Sequence, residues 1–145
     1  MNFIDAVMKR LDIMSADDVI QEIGGSIYDN PAVRKELHKY PQFIQDIIFI
    51  VDLDTALNMD GDVLVNNEND IPNMITALQN IHANNDASIL QKIYDTYRAN
   101  PNYDAIFKAI DGMYEKMYLY TGFDIWPLLE TYVDKEMHAN KHYQY

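Results

Sequence analysis

The sequence predicts an all-α protein, a single compact domain of about seven to eight helices. Three observations predict it. Apolar residues recur at i, i+3, i+4, i+7 along most of the 145 residues. The periodic stretches are separated by short Asn-Pro, Gly and Asn/Asp breaks. Strands and helices do not alternate, which argues against a parallel sheet, and no 20–50-residue repeat is present.

In chain order, Phe3, Ile4, Val7, Met8 and Leu11 outline one buried helical face. Ser15 followed by Asp18 resembles a capping box opening a second helix toward Tyr28, which Gly24-Gly25 is expected to end early. Asn30-Pro31 marks the next start, with Pro31 at the first helical position. From Gln42 to about Asn58 the β-branched run Ile47–Val51 suggests a strand. Phe43, Ile44, Leu53 and Leu57 extend the apolar pattern past strand length, so we read a central helix buried almost all round.

Residues 59–70 read as a polar loop, with Asp70 the N-cap of a helix that has Pro72 in its first turn and the stripe Ile71, Met74, Ile75, Leu78, Ile81. Asn84-Asn85-Asp86 reads as a turn before Ile89, Leu90, Ile93, Tyr94 and Tyr97. Asn100-Pro101-Asn102 breaks the chain again. Ile106, Phe107, Ile110, Met113, Tyr114 and Met117 form the next face, ending near Gly122. Asp124 is expected to cap a last helix with Trp126, Leu129, Tyr132 and Val133 inward. Residues 1–140 are thus expected to form one helical domain and residues 141–145 a frayed tail.

Composition narrows the function. Net charge −12 and pI near 4.4 give a negative surface field that repels nucleic acid and anionic membranes and attracts basic proteins or cations. The absence of cysteine excludes thiolate catalysis, disulfides and Cys-ligated metals, and fits a reducing cytoplasm. The N-terminus lacks the pattern of a signal peptide, and the longest strongly apolar run, Ile47–Val51, is too short to span a bilayer. A cytoplasmic protein is the expectation.

Catalytic and metal motifs are poorly supported. Asp52, Asp54, Asn58, Asp60 and Asp62 resemble a calcium loop, but placing Gly61 at the turn position puts Ala56 first and Asn67 twelfth. His138 and His142 share i, i+4 spacing near the chain end without the HExxH pattern. Ser15, Ser26 and Ser88 lie in no nucleophile elbow, and Gly24-Gly25-Ser26 is no phosphate loop. Eleven tyrosines without a basic stripe read as core-edge residues. We therefore expect no enzyme, no cofactor and no metal.

The distinctive feature is charge distribution. Between Lys39 and Lys92 there is no lysine or arginine, but eight acids: Asp46, Asp52, Asp54, Asp60, Asp62, Glu68, Asp70 and Asp86. Native surfaces usually mix signs, so this segment suggests a face for a basic partner.

The order of several motifs also resembles the nineteen-type DNA-mimic protein family, a group of small acidic helical bacterial proteins of a domain-of-unknown-function type. The carriers are Leu57-Asn58-Met59-Asp60-Gly61-Asp62-Val63, Ala77-Leu78-Gln79-Asn80-Ile81-His82-Ala83 and Ala87-Ser88-Ile89-Leu90. Asp111-Gly112-Met113-Tyr114 and Leu128-Leu129-Glu130-Thr131-Tyr132-Val133 follow. The likeness covers about residues 40–135, with His82 standing where the family has glycine and Gly61 alone left of a glycine pair.

The resemblance implies a non-enzymatic role, often as a homodimer, in which carboxylates imitate DNA phosphates and occupy a basic DNA-binding protein. The candidate contacts are Asp46, Asp52, Asp54, Asp60, Asp62, Glu68 and Asp70, with Asp17, Asp18 and Glu22 as a second patch. Three alternatives are kept: an immunity-type inhibitor of a basic toxin or nuclease, a calcium protein or small metal-dependent enzyme using Asp52–Asp62, and an acidic helical domain without mimicry.

Overall fold

The structure, a computed structural model, describes residues 2–59, 62–117 and 125–140. Every regular element among them is helical, as the periodicity predicts. The described residues gather into two compact units. One takes the chain up to Ile48 and again from Trp126, and the other runs from Phe49 to Ile125.

In the first unit, α1 (Phe3–Met8) is opened by Asn2, whose Oδ1 accepts from the N–H groups of Ile4 and Asp5 while Asp5 returns a bond to the Asn2 N–H. This reciprocal cap satisfies donors that a six-residue helix otherwise leaves open. Ile4, Val7, Met8 and Leu11 are buried as expected. The box at Ser15 and Asp18 opens α2 (Ala16–Ser26), with Val19, Ile20 and Ile23 inward. Gly24 and Gly25 do not end it; the helix passes through both and tightens into a 3₁₀ turn over Ile27–Asp29.

Pro31 does start a helix, but of 3₁₀ type, over Pro31–Lys39, with Val33 and Leu37 buried. Such runs seldom exceed three or four residues. Tyr40 ends the run, and its hydroxyl accepts from Asn2 Nδ2 at 2.6 Å and donates to Asp5 Oδ1 at 3.1 Å. Those bonds fasten the 3₁₀ run to the α1 cap.

The stretch after Pro41 forms α3 (Gln42–Met59), settling the strand-or-helix ambiguity in favour of helix. Phe43, Ile44, Ile47, Ile48, Phe49, Ile50, Leu53, Ala56 and Leu57 are buried on all sides of it. Each large side chain so buried contributes about 1.5–3 kcal/mol, which outweighs the small helix penalty of β-branching. The closing element of the first unit is α8 (Trp126–Asn140), whose Leu129, Val133 and Met137 are buried and which packs against α2. Trp126 and Tyr132 are only half-buried. The expected cap Asp124, the helix end at Gly122 and the tail 141–145 lie outside the described residues.

In the second unit, the expected 59–70 loop contains α4 (Leu64–Asn67) and a 3₁₀ turn over Glu68–Asp70. Asp62 Oδ1 accepts the Leu64 N–H at 2.8 Å and so caps this turn, while Val63 and Leu64 are buried. α5 (Ile71–Asn80) carries Pro72 in its first turn, but Asp70 stays in the αR region and its side chain makes no capping bond. The 3₁₀ turn leads directly into the helix and leaves Asp70 without the extended backbone that a capping side chain needs.

α5 packs on α6 (Asn84–Ala99) as a helical hairpin. Asn84-Asn85-Asp86, expected as a turn, is the first turn of α6. The chain reverses earlier, at Ile81–Ala83. The His82 N–H bonds to the Gln79 carbonyl and the Ala83 N–H to the Leu78 carbonyl, the paired bonds of a Schellman cap. His82 has φ 66, where glycine is the usual residue.

Asn100-Pro101-Asn102 breaks the chain as expected, and Asn102 Oδ1 accepts the Asp104 N–H to begin α7 (Tyr103–Ala109). α7 stops well before Gly122. Gly112, at φ 78, turns the chain into a 3₁₀ segment over Tyr114–Lys116. Ile106, Ile110, Tyr114 and Met117 are buried, but Phe107, expected on that face, is 63% exposed.

The His82 cap yields a test. His82→Gly removes the Cβ strain of a left-handed residue and is expected to raise stability by about 0.5–1 kcal/mol in urea unfolding, despite the greater flexibility of the unfolded chain.

Candidate functional site: the acidic side chains

Burial divides the ten candidate contacts. Asp46 is fully buried, and Asp52 and Asp62 are buried as well. These three are corrections to the expected partner surface, because side chains inside a helical core do not meet a docking protein. Asp86, also in the base-free stretch, is fully buried in the first turn of α6, where the helix dipole favours an acid. Asp54, Glu68 and Asp70 are half-buried, and Asp17, Asp18 and Glu22 are exposed on α2. Asp60 lies outside the described residues.

Two of the buried acids, Asp46 and Asp62, accept from neutral donors. Asp46 Oδ1 accepts from Gln42 Nε2 at 2.8 Å, one turn earlier on α3, and Oδ2 accepts from the Tyr132 hydroxyl of α8 at 2.7 Å. Asp62 Oδ1 accepts from the Tyr114 hydroxyl at 2.7 Å, and that hydroxyl accepts the Val63 N–H at 3.3 Å. Tyr97 donates to Glu68, and Tyr40 to Asp5. The acids of the base-free segment thus include several met by phenols and amides.

Tyrosine faces serve cations too. The Arg34 guanidinium lies 5.6 Å from the Tyr28 ring centre, and that of Arg98 5.5 Å from Tyr94. Both tyrosines are partly exposed, as the core-edge reading of the sequence expects. The phenol–carboxylate pairs are what the sequence does not spell out; their one signal is that a buried phenol needs a hydrogen-bond partner, in a chain rich in acids and tyrosines.

Burial and the neighbouring Asp46 carboxylate push the Tyr132 hydroxyl pKa well above its ordinary 10.0, with Glu136 adding to the effect. Tyr40 is raised chiefly by burial, and Tyr97 chiefly by its bond to Glu68. Partial burial raises Asp54 above the usual carboxylate value, partly offset by Asn58, whose Nδ2 donates to Asp54 Oδ1 at 2.9 Å.

Among the candidate contacts, the exposed acids that share one element are on α2. Asp18 and Glu22 are one helical turn apart, Asp17 is adjacent, and α2 has no lysine or arginine. At 1.5 Å rise per residue, Asp17–Glu22 spans about 7.5 Å, a length over which duplex DNA carries about four phosphates. Glu130 and Asp134, also exposed, lie one turn apart on α8, the helix that packs with α2.

Among the described residues, no group of three or more His, Asp or Glu is placed to hold a metal ion. No helix among them is long and apolar enough to cross a membrane. No protein-family model, curated protein or solved structure matches the chain.

Two substitutions check the electrostatics. Tyr132→Phe removes the donor to buried Asp46 and is expected to cost about 1–3 kcal/mol in chemical unfolding at pH 7. The raised Tyr132 pKa means that the folded state holds this proton more tightly than the unfolded chain does. Its contribution is complete below about pH 10 and falls as pH rises further, so wild-type stability should drop more steeply above pH 10 than that of Tyr132→Phe. For Asp54, the raised folded pKa means that the neutral form is favoured. Asp54→Asn should therefore be more stable than wild type at pH 7 in thermal unfolding, with the gain shrinking as pH falls through the carboxylate range.

Proposed function

We propose that this protein is a non-enzymatic, acidic interaction module that binds and regulates a basic DNA-binding protein as a DNA mimic. The observation that carries the reading is the exposed Asp17, Asp18 and Glu22 array on a cation-free helix, in a chain of net charge −12. Glu130 and Asp134 on α8 are further exposed acids of the same unit. This moves the contact surface away from Asp46, Asp52 and Asp62, which belong to the core.

The physics favours a basic partner. A protein evolved to hold phosphates presents lysines and arginines, and a rigid helix offering carboxylates at a density approaching that of the duplex competes for them. Long-range attraction speeds such encounters and makes them sensitive to salt. The resemblance of the motif order to that of DNA-mimic proteins supports the same target class. An immunity-type inhibitor uses the same electrostatics against a single toxin or nuclease, and the identity of the captured protein separates the two.

The test is capture from native extract at low salt, elution with a salt gradient, and titration of the captured protein with labelled duplex DNA. Wild-type protein should displace the duplex. Asp17→Asn/Glu22→Gln, which spares the Asp18 capping box, should bind about three- to tenfold more weakly with a shallower salt dependence. Capture of unrelated basic proteins, or displacement unaltered by the double substitution, rejects the reading.

A further inference from the structure

The second unit holds a cleft of about 170 Å³ formed around the turn that follows α7. Its buried side is lined by Asp62, Tyr114 and Ile110, and its exposed rim by Phe107, Asp111 and Glu115. Gly112, in the left-handed region at φ 78, also lines it.

We propose that this cleft takes the guanidinium of an arginine side chain presented by the basic protein partner. The proposal deepens the interaction-module reading and rests on it for the source of the arginine. Size supports a single side chain, because sites for cofactors and drug-sized ligands run from about 300 to 1,000 Å³. Charge supports a cation: Asp111 and Glu115 are exposed carboxylates at the rim, and among the described lining residues there is no Lys, Arg or His.

The aromatic component selects among cations. Phe107 of α7 offers a phenyl ring that is 63% exposed at the same rim as two exposed acids. A guanidinium is planar and weakly hydrated, so it can stack on a ring while its edge donates to carboxylates. An ammonium is compact and strongly hydrated and gains less from the same surroundings. At the buried side, the Tyr114 hydroxyl already donates to Asp62 and holds the chain there in place, so the cleft is built before any ligand arrives.

The probe is N-acetyl-arginine amide, titrated into the whole protein and followed by amide NMR. We expect saturable shifts centred on residues 106–116, with a Kd on the order of millimolar. N-acetyl-lysine amide should bind more weakly. Phe107→Ala should weaken the arginine probe about threefold, and Asp111→Asn/Glu115→Gln at least about tenfold. All three positions are exposed, so the variants are expected to keep the wild-type unfolding midpoint.

Asp17→Asn/Glu22→Gln should leave probe binding unchanged, which separates this cleft from the α2 array. Shifts that do not saturate, that centre elsewhere, or that persist in Asp111→Asn/Glu115→Gln overturn the site. A probe that binds here while Phe107→Ala and Asp111→Asn/Glu115→Gln leave partner capture unchanged overturns the assignment to a partner's arginine.

Discussion

A carboxylate taken out of water must find donors, and in this protein tyrosine hydroxyls and side-chain amides supply them. Asp46 is fully buried, yet both of its oxygens are engaged, one by Gln42 on its own helix and one by Tyr132 on α8. That pair ties α3 to α8 inside the first unit. Asp62 and Tyr114 do the same in the second, joining the start of α4 to the 3₁₀ segment after α7. An unmet buried carboxylate would cost several kcal/mol, so these bonds are conditions for the packing around them.

Neutral donors also shape the electrostatics. A phenol satisfies a carboxylate oxygen without adding formal positive charge, so acids can be used structurally while the net charge stays at −12. The base-free segment then carries two populations. Asp46, Asp52, Asp62 and Asp86 are structural, whereas Asp54, Glu68 and Asp70 retain part of their surface in solvent. Charge along a sequence is therefore a poor map of charge on a surface when the acids fall within apolar helices.

The helices were legible because their periodicity is strong. Ile71, Met74, Ile75 and Leu78 leave little choice of face, and the apolar pattern around Ile47–Val51 is too long for a strand. The interior acids were not legible, because an acid within an apolar run reads as the wet edge of a helix. What reverses that reading for Asp46 is Tyr132, 86 positions away in sequence, and for Asp62 it is Tyr114, 52 positions away. The exposed α2 acids were legible as a patch because they follow a local cap and share one helix. The cleft at Phe107 was hidden by continuing the helical period through Gly112, where a left-handed backbone turns the chain instead.

The placement of the one tryptophan has an optical consequence. Trp126 begins α8 and is half-buried, so indole emission reports the unit built from α1, α2, the first part of α3 and α8. The unit from Phe49 to Ile125 contains no indole, and its near-ultraviolet signal comes from tyrosine and phenylalanine. Tryptophan fluorescence and far-ultraviolet dichroism therefore weight the two units differently. Coincident melting curves would mark a single cooperative fold, and separated curves would assign the indole transition to the unit that carries the α2 acids.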